Sequence, residues 1–260
     1  MLVVNRLEAI VLDSTSFYVQ DDDLLKTSSK RVILQSGLPL VFEGDMPVSR
    51  VAFRQAGMDR LRLFVKRSID ITGALAGLIL LAPLFLFIAC AIKLTSTGPV
   101  FFVQEREGLR GRLFSALKFR TMTTDLCDKS GITHTKTDDP RITELGRFLR
   151  KTSIDELPQL INILKGEMSL VGPRPHVPGM LVGREAYKSV VPYYHERLNV
   201  APGLTGWSQV SGLRGGVETP LEAKARVDHD IAYLQNLSIR LDLQIIVKTI
   251  AKEFVTGSGY

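Results

Sequence analysis

The sequence predicts an α+β protein that is mostly helical. A proline-broken re-entrant membrane helix hairpin joins a compact cytoplasmic domain with short strands and interfacial amphipathic helices. One uncharged apolar run, residues 71–92, is long enough for a membrane helix. After it, two short segments alternate like strands, and most of the remaining chain has helical periodicity. The hydrophobic content of 45% and the mean hydropathy of +0.12 are slightly high for a soluble enzyme, and the net charge of +6 could face nucleic acid, anionic lipid or a phosphorylated substrate.

Residues 1–58 are predicted to form a separate, weakly structured leader. They contain two short apolar runs, an acidic cluster at residues 21–23 and scattered turn residues. This pattern favours a short hairpin or a disordered tail, and it shows no residues with evident chemistry. The chain is therefore divided into the leader at 1–58, the membrane hairpin at 59–98 and the cytoplasmic domain at 99–260.

Two features of the apolar run bear on its membrane topology. Pro83 lies at its centre, where a proline removes a backbone hydrogen bond and kinks a helix. Both flanks are basic, and basic loops prefer the cytoplasmic side of a membrane. A helix that enters one leaflet, turns at Pro83 and returns keeps both flanks on that side. An ordinary spanning helix with a proline kink stays open as the alternative.

The rest of the chain divides into short strands, helices and loops. Strands are predicted at 100–104 and 113–122, helices at 141–151, 155–165, 186–197, 221–235 and 241–254, and loops at 123–140 and 201–216. Gly166 ends the second of these helices. The last helix places Leu243, Ile246 and Ile250 on one face, which favours a position on the membrane surface over packing on the core.

Two adjacent carboxylates, Asp155 and Glu156, lie where a helix is predicted to begin. Ser153 and Glu156 have the spacing of a capping box, so a purely structural role is open. Pro158 favours Asp155 as the cap, because this places the proline in the first turn, where its missing N–H is tolerated. An acid at the positive end of a helix stays ionised and lies where a phosphate binds. The residues alone leave both the catalytic and the capping role open.

Basic residues at six positions are candidates for binding an anionic substrate. They are Lys118, Arg120, Arg147, Arg150, Arg174 and Arg214. Lys118 and Arg120 alternate with apolar residues and share one face of a strand, although a solvated face also explains this pattern. Prolines on both sides fix the backbone of Arg174, and an arginine held in this way suits bidentate phosphate binding. The four histidines show no metal-binding spacing, and the chain has no P-loop or dinucleotide-binding motif.

An ordered series of motifs from about residue 62 to the C-terminus resembles one protein family. The motifs are KRSIDI, the proline-broken apolar run, GPVFFVQEREG, LKFRTM, DPRITELGRFLRKTSIDELPQLINILKGEMSLVGPRP, PGLTGWSQVSG and LDLQIIVKTI. In this order they are similar to the bacterial sugar transferases, the monotopic polyprenyl-phosphate phosphoglycosyl transferases. Residues 1–58 are too short for the four spanning helices and the nucleotide-fold domain of larger members, so the resemblance is to the small form.

The resemblance implies a reaction, a cofactor and a location. Such enzymes transfer a sugar 1-phosphate from a UDP-sugar to a polyprenyl phosphate, usually undecaprenyl phosphate, and release UMP. By resemblance, Asp155 is the nucleophile that forms a covalent phosphosugar intermediate, and Glu156 binds Mg²⁺. The expected partners are these two substrates and the lipids of the bacterial inner membrane, at its cytoplasmic face. No nucleic-acid partner is expected, and no feature of the sequence fixes an oligomeric state.

Three positions depart from the family pattern. Ala82 precedes Pro83 where many relatives have serine, so the predicted bend depends on Pro83 and local packing. His176 follows the Pro-Arg-Pro segment where many relatives carry an acid, and Ala201 stands where a basic residue is common. These changes concern substrate details and leave the reaction class intact. A membrane-associated metal-dependent nucleotide-sugar hydrolase and a non-catalytic lipid-binding adaptor are the alternatives.

Overall fold

The computed structural model describes residues 8–12, 15–20, 29–43, 46–47, 60–123 and 139–256. Its strands are β1 (Glu8–Leu12), β2 (Thr15–Gln20), β3 (Ser29–Ile33), β4 (Pro39–Glu43), β5 (Met46–Pro47), β6 (Phe101–Glu107), β7 (Leu113–Phe119), β8 (Ser169–Val171), β9 (Leu181–Val182), β10 (Glu185–Ala186) and β11 (Gly203–Thr205). Its α-helices are α1 (Arg60–Thr95), α2 (Glu144–Lys151), α3 (Gln159–Lys165), α4 (Tyr187–Val190), α5 (Trp207–Val210), α6 (Pro220–Gln235) and α7 (Ile239–Thr256). Helices and short strands are both present, which confirms the α+β class.

Most predicted elements after the apolar run are present, with shifted ends. β6 and β7 form an antiparallel hairpin, and α6 begins with a complete capping box at Thr219. The helix predicted at 186–197 is instead the short α4 followed by a 3-10 turn at Tyr194–Asn199. Pro192 explains the break, because the residue before a proline avoids the helical conformation. The loop predicted at 123–140 lies almost entirely outside the described residues.

The helix α1 is one continuous helix of 36 residues that includes Pro83. At 1.5 Å per residue its length is about 54 Å. Among the described residues it is the single helix that is long and apolar enough to cross a membrane. The helix has no break at Pro83, so the turn and return of the predicted hairpin are not seen. The re-entrant arrangement therefore stays a prediction.

One face of α1 packs on the rest of the protein along the length of the helix. Asp70 and Ala74 are buried on this face in the first half, and Ile88 and Ile92 are buried on it in the second half. Large apolar side chains elsewhere on the helix are exposed. They are Leu61, Leu63, Phe64, Ile71, Leu75, Ile79, Leu80, Leu86, Phe87 and Leu94. An exposed apolar surface of this size marks a site of contact with lipid or another apolar partner.

Both ends of α1 are bonded to the same domain. Near its start, Arg67 donates to two carbonyls at the end of α3, and Lys66 lies 2.7 Å from a carboxylate oxygen of Asp242 in α7. At its end, Arg120, directly after β7, donates to the carbonyls of Ser96 and Thr97. If the domain stays on one side of a membrane, both ends of α1 must lie on that same side.

A close crossing of backbones brings the Pro-Arg-Pro segment beside the Gly-rich loop. β8 and β11 form a parallel pair, and Gly172 follows directly after β8. A Cβ atom on Gly203 would lie 2.0 Å from the Gly172 nitrogen, and one on Gly206 would lie 2.2 Å from the Gly172 oxygen. No side chain fits at these distances, so the crossing requires glycine.

The strands β3 and β4 pack on the C-terminal half of the chain, which differs from the predicted separate leader. Leu34 and Leu40 are buried in a core with Ile231 of α6. Trp207 Nε1 donates to Ser36 Oγ over 2.9 Å. The described part of the leader also forms one antiparallel sheet ordered β1 to β5, where the sequence predicted at most a short hairpin. Its apolar runs were too short to reveal contacts with residues so far along the chain.

Candidate active site

One cavity of about 830 Å³ contains nearly all of the predicted site residues. The residues that line it include Asp155, Glu156, Lys118, Arg120, Arg150, Arg174 and Arg214. They come from the end of β7, α2, the turn before α3, the Pro-Arg-Pro segment and the Gly-rich loop. Arg147 is not part of the lining and is exposed in α2, three residues before Arg150. The substrate-binding role of Arg147 stays a prediction.

Asp155 lies in a tight turn and not at a helix N-cap. The 3-10 turn Ile154–Glu156 comes before α3, which begins at Gln159. The predicted start of an α-helix at Asp155 is wrong, because a 3-10 turn separates Asp155 from α3 and Pro158 stands at the N-cap of α3, where its missing N–H costs no helical hydrogen bond. Ser153 directly before the turn has a φ of 54°, a left-handed conformation that is strained for a residue with a side chain. Such strain is concentrated at functional sites.

The Asp155 carboxylate is buried and has no side-chain hydrogen bond to another described residue. Burial, and after it the adjacent charge of Glu156, raises the pKa of Asp155 to about 6. Lys118 and Arg150 act in the opposite direction and offset part of this rise. At neutral pH the carboxylate is therefore ionised, and its lone pairs are free to attack an electrophile.

Glu156 binds two cations of the site. The Arg174 guanidinium pairs with it bidentately, with Nη1–Oε2 and Nη2–Oε1 distances of 2.8 and 2.7 Å. Lys118 Nζ lies 2.7 Å from Oε1. Burial alone would raise the pKa of Glu156, but Arg174 and Lys118 together hold it well below its ordinary value. Arg174 thus has the fixed bidentate geometry that its flanking prolines predict, with a carboxylate as its partner.

Two other predicted cations tie structural elements together at the edge of the cavity. Arg120 donates to the carbonyls of Ser96 and Thr97, and its Nε has no partner among the described residues. Arg150 Nε donates to Thr121 Oγ1 over 2.8 Å. Their charges contribute to the positive potential of the cavity, while these hydrogen bonds hold neighbouring structural elements together.

Several polar residues that line the same cavity were not among the predicted site residues. They include Arg106, His176, Gln209 and Arg226. Arg106 donates to the carbonyl of Pro175 over 3.0 Å, and burial, followed by the charge of Arg174, lowers its pKa to about 10. Arg226 lies on the buried face of α6 and donates to the carbonyl of Gly215. A charged residue at an apolar position of a helix face was the signal that could have found Arg226.

The cavity continues from the carboxylates to an apolar end between α1 and α7. Its lining there is Ile69, Thr72, Gly73, Leu170, Leu204, Ile246, Thr249 and Ile250. Beside this end, Leu243, Val247 and Ile250 form an exposed apolar face on α7. One cavity thus joins a charged end to an apolar end, next to the two helices that carry exposed apolar faces.

The carboxylates supply a partial set of ligands for Mg²⁺. The described residues contain no group of three or more acidic, histidine or cysteine side chains that could hold a metal ion by themselves. Mg²⁺ is usually bound by one or two carboxylates together with substrate phosphates and water. Neither Asp155 oxygen is hydrogen-bonded to a side chain in the described part of the chain, and Oε2 of Glu156 keeps one lone pair beside its bond to Arg174. These residues fit Mg²⁺ as a site that a bound diphosphate completes.

Comparison with known proteins relates this chain to one family. The family model described as bacterial sugar transferase matches residues 61–256. This chain belongs to the bacterial sugar transferase family. The match extends from α1 to α7 and includes every residue that lines the cavity. It confirms the predicted family and the predicted enzyme class, a transferase.

Three relatives show how much of each chain is shared. The exopolysaccharide production protein PSS of Rhizobium leguminosarum bv. phaseoli is 48% identical over 198 residues, which are 76% of this chain and 99% of that protein. The undecaprenyl-phosphate glucose phosphotransferase of Komagataeibacter xylinus is 42% identical over 82% of this chain. The UDP-glucose:undecaprenyl-phosphate glucose-1-phosphate transferase of Escherichia coli K12 is 41% identical over 86% of this chain. The matches cover only 40% and 46% of the last two proteins.

Proposed function

We propose that this bacterial sugar transferase transfers a sugar 1-phosphate from a UDP-sugar to undecaprenyl phosphate and releases UMP. The reaction would be the initiating membrane step of exopolysaccharide or other surface glycan synthesis. The observation that carries the proposal is the buried Asp155 carboxylate, which bonds to no other described side chain, in a cavity with cations at one end and an apolar lining at the other. A nucleotide diphosphate matches the first end, and a polyprenyl chain matches the second. Two relatives are named for glucose transfer to undecaprenyl phosphate, so UDP-glucose is the first donor to test.

In the first step, a carboxylate oxygen of Asp155 attacks the β-phosphorus of the UDP-sugar. A bond forms between this oxygen and the phosphorus, and the bond from the phosphorus to the bridging oxygen breaks. The electron pair of the broken bond leaves with UMP. Lys118 and Arg174, both held by Glu156, are placed to offset the charge of the transferring group. The sugar phosphate is then bound to Asp155 as an acyl phosphate.

In the second step, an oxygen of undecaprenyl phosphate attacks the same phosphorus. The bond to Asp155 breaks, its carboxylate is regenerated, and a diphosphate now joins the sugar to the lipid. A covalent intermediate lets one cavity serve the two substrates in turn. When bound, Mg²⁺ supplies positive charge that stabilises the phosphate oxygens, and Asp155 and Glu156 are the residues that would hold it.

The contacts of α1 support a monotopic position in the inner membrane, with the domain at the cytoplasmic face. Both ends of α1 bond to one domain, and a helix that does not cross the membrane fits this arrangement. The test is to label single cysteines at Arg62→Cys and Lys93→Cys in intact cells, in a variant without Cys90 and Cys127. Both sites should be protected from an impermeant reagent. Opposite accessibility of the two sites would refute the monotopic position.

The activity is tested by UMP release from purified protein with Mg²⁺, undecaprenyl phosphate and a panel of UDP-sugars. Asp155→Asn should abolish release, because an amide is not a nucleophile at phosphorus. Glu144→Gln is the matched control, since it removes an exposed carboxylate in α2 outside the cavity and should keep full activity. Repeated turnover of UMP release without the lipid would favour a hydrolase, since the covalent mechanism releases at most one UMP per enzyme before the lipid is needed. Vesicle binding without any turnover would favour an adaptor.

The apolar end is tested with two substitutions on one face of α7. Ile250 lines the cavity and is 52% exposed, whereas Val247 is 65% exposed and lies outside the lining. Ile250→Glu places a charge where the polyprenyl chain would bind, so it should raise KM for undecaprenyl phosphate more than Val247→Glu does. KM for the UDP-sugar should not change. Equal effects of the two variants on KM for the lipid would contradict this assignment.

A further inference from the structure

Two uncharged buried side chains in the cavity have a buried acceptor atom that lacks a hydrogen bond to any described residue. His176 is 2% exposed and Gln209 is 3% exposed, and both line the cavity. Among the residues that the structure describes, His176 Nε2 and Gln209 Oε1 have no partner. Because buried polar groups are nearly always hydrogen-bonded in folded proteins, unbonded ones in a cavity indicate atoms that a ligand contacts.

The hydrogen bonds around His176 decide which of its ring nitrogens carries the proton. Tyr194 donates its single hydroxyl proton to Glu107 Oε2 over 2.7 Å. His176 Nδ1 lies 3.1 Å from the same tyrosine oxygen. That oxygen has only acceptor capacity left, so Nδ1 is the donor and Nε2 keeps a lone pair. Lys188 pairs with Glu107, so its positive charge balances the carboxylate that accepts the tyrosine proton.

His176 is also held in place and kept neutral. Its ring centroid lies 4.8 Å from that of Tyr187 and 5.6 Å from that of Tyr194. Burial, followed by the charge of Arg197 and of three further arginines, holds the pKa of His176 well below its ordinary value. Nε2 is therefore a fixed hydrogen-bond acceptor at neutral pH.

We propose that His176 Nε2 and Gln209 Oε1 accept hydrogen bonds from hydroxyl or imide N–H groups of the UDP-sugar, and so select the donor substrate. The inference rests on the proposed function. A diphosphate has no proton to donate at neutral pH, so neither acceptor serves the phosphates, which the cations Lys118 and Arg174 attract instead. A polyprenyl chain has no donor either. The groups that remain are the imide N–H of uracil, the ribose hydroxyls and the hydroxyls of the transferred sugar.

Four substitutions separate the loss of an acceptor from damage to packing. His176→Phe keeps an aromatic ring and removes Nε2, while Gln209→Met keeps the side-chain length and removes Oε1. Each should weaken binding of the UDP-sugar about tenfold to a hundredfold, because a donor on the ligand is left unbonded in a buried site. His176→Gln returns an acceptor and should recover part of the loss. Tyr187→Phe is the packing control, since it removes a buried hydrogen bond to the Ala223 carbonyl and touches neither acceptor.

The experiment is calorimetric titration of the full chain in detergent with UDP-glucose, UMP, N3-methyl-UMP, 2′-deoxy-UMP and deoxyglucose analogues of UDP-glucose. The wild type should prefer UMP or UDP-glucose over one of these analogues, and this preference should disappear in His176→Phe or Gln209→Met. Loss of the preference among the UMP analogues identifies the nucleoside as the source of the donor. Loss of the preference among the UDP-glucose analogues alone identifies the transferred sugar.

Two further outcomes separate this inference from the proposed function. If the wild type binds UDP-glucose and releases UMP, but both acceptor variants keep its affinities and its analogue preferences, the inference is overturned and the proposed function stands. If the wild type neither binds any UDP-sugar nor releases UMP, both are overturned. Should His176→Phe fail to fold, Gln209→Met supplies the same comparison.

Discussion

Replacement of Asp155 by asparagine should make the protein more stable at neutral pH while it removes activity. The pKa of Asp155 is about 6 in the folded protein, against an ordinary value of 3.8. An acid with a raised pKa binds its proton more tightly in the folded than in the unfolded chain. The free energy of unfolding therefore falls as the pH rises from about 4 to about 6, and above this range the ionised group destabilises the fold. Asparagine has the same shape and carries no charge, so it removes this penalty.

The size of the effect follows from the two pKa values. One pKa unit corresponds to about 1.4 kcal/mol, so the gain in unfolding free energy at pH 7.5 is at most about 3 kcal/mol. At pH 5 the folded carboxyl is already mostly protonated, and the same relation gives a gain of about half that size. For a chain of this length, each kcal/mol raises Tm by roughly 2–4 °C.

The assay is thermal unfolding of wild type and Asp155→Asn in detergent with a chelator present, at pH 5 and pH 7.5. The chelator is needed because a metal ion bound to the wild-type carboxylate would hide the penalty. Groups that titrate in both proteins cancel in the difference between them. A variant that is no more stable than the wild type at pH 7.5, or that gains as much at pH 5, would refute the assignment of a buried, destabilised carboxylate at residue 155.

Three further outcomes follow from the same geometry. The rate of UMP release in a single turnover should fall about tenfold for each pH unit below 6, because protonation removes the Asp155 nucleophile, and a flat profile down to pH 5 would contradict this. Arg174→Lys should lower kcat/KM for the UDP-sugar by about tenfold or more, since an ammonium cannot reproduce the bidentate contact with Glu156, and a wild-type value would show that this contact is dispensable. Gly146→Ala should destabilise the fold by about 2 kcal/mol or more in thermal unfolding, because its Cβ would lie 2.0 Å from the Thr121 carbonyl oxygen. An unchanged Tm for that variant would show that α2 can move away from Thr121 without cost.

The cavity residues that belong to sequence motifs were predicted from the sequence, because they lie close together in the chain or in a rigid segment. Asp155, Glu156 and Arg174 belong to one continuous series of motifs, and the prolines around Arg174 limit its backbone to few conformations. The alternation around Lys118 predicted that Lys118 and Arg120 share one side of a strand, and both residues line the cavity. Local rules were sufficient for these residues.

Contacts between distant parts of the chain were not accessible to the same reasoning. Gln209 has no local pattern that distinguishes it from a structural polar residue, and His176 was noticed only as a departure from the family pattern. Their acceptor atoms without a described partner are evident only when the cavity is assembled. The packing of Leu34 and Leu40 on α6 depends on residues far along the chain. The cap at Asp155 was wrong for a local reason, because a 3-10 turn separates that residue from α3 and satisfies Pro158 equally well.

The most direct test of the account is a search for the covalent intermediate on Asp155. The protein is incubated with Mg²⁺ and UDP-glucose in the absence of lipid, quenched, digested and analysed by mass spectrometry. The peptide that contains Asp155 should gain the mass of a hexose phosphate, lose it after undecaprenyl phosphate is added, and stay unmodified in Asp155→Asn. Continued release of UMP to the lipid with no modified peptide, or with the hexose phosphate on another residue, would contradict the account.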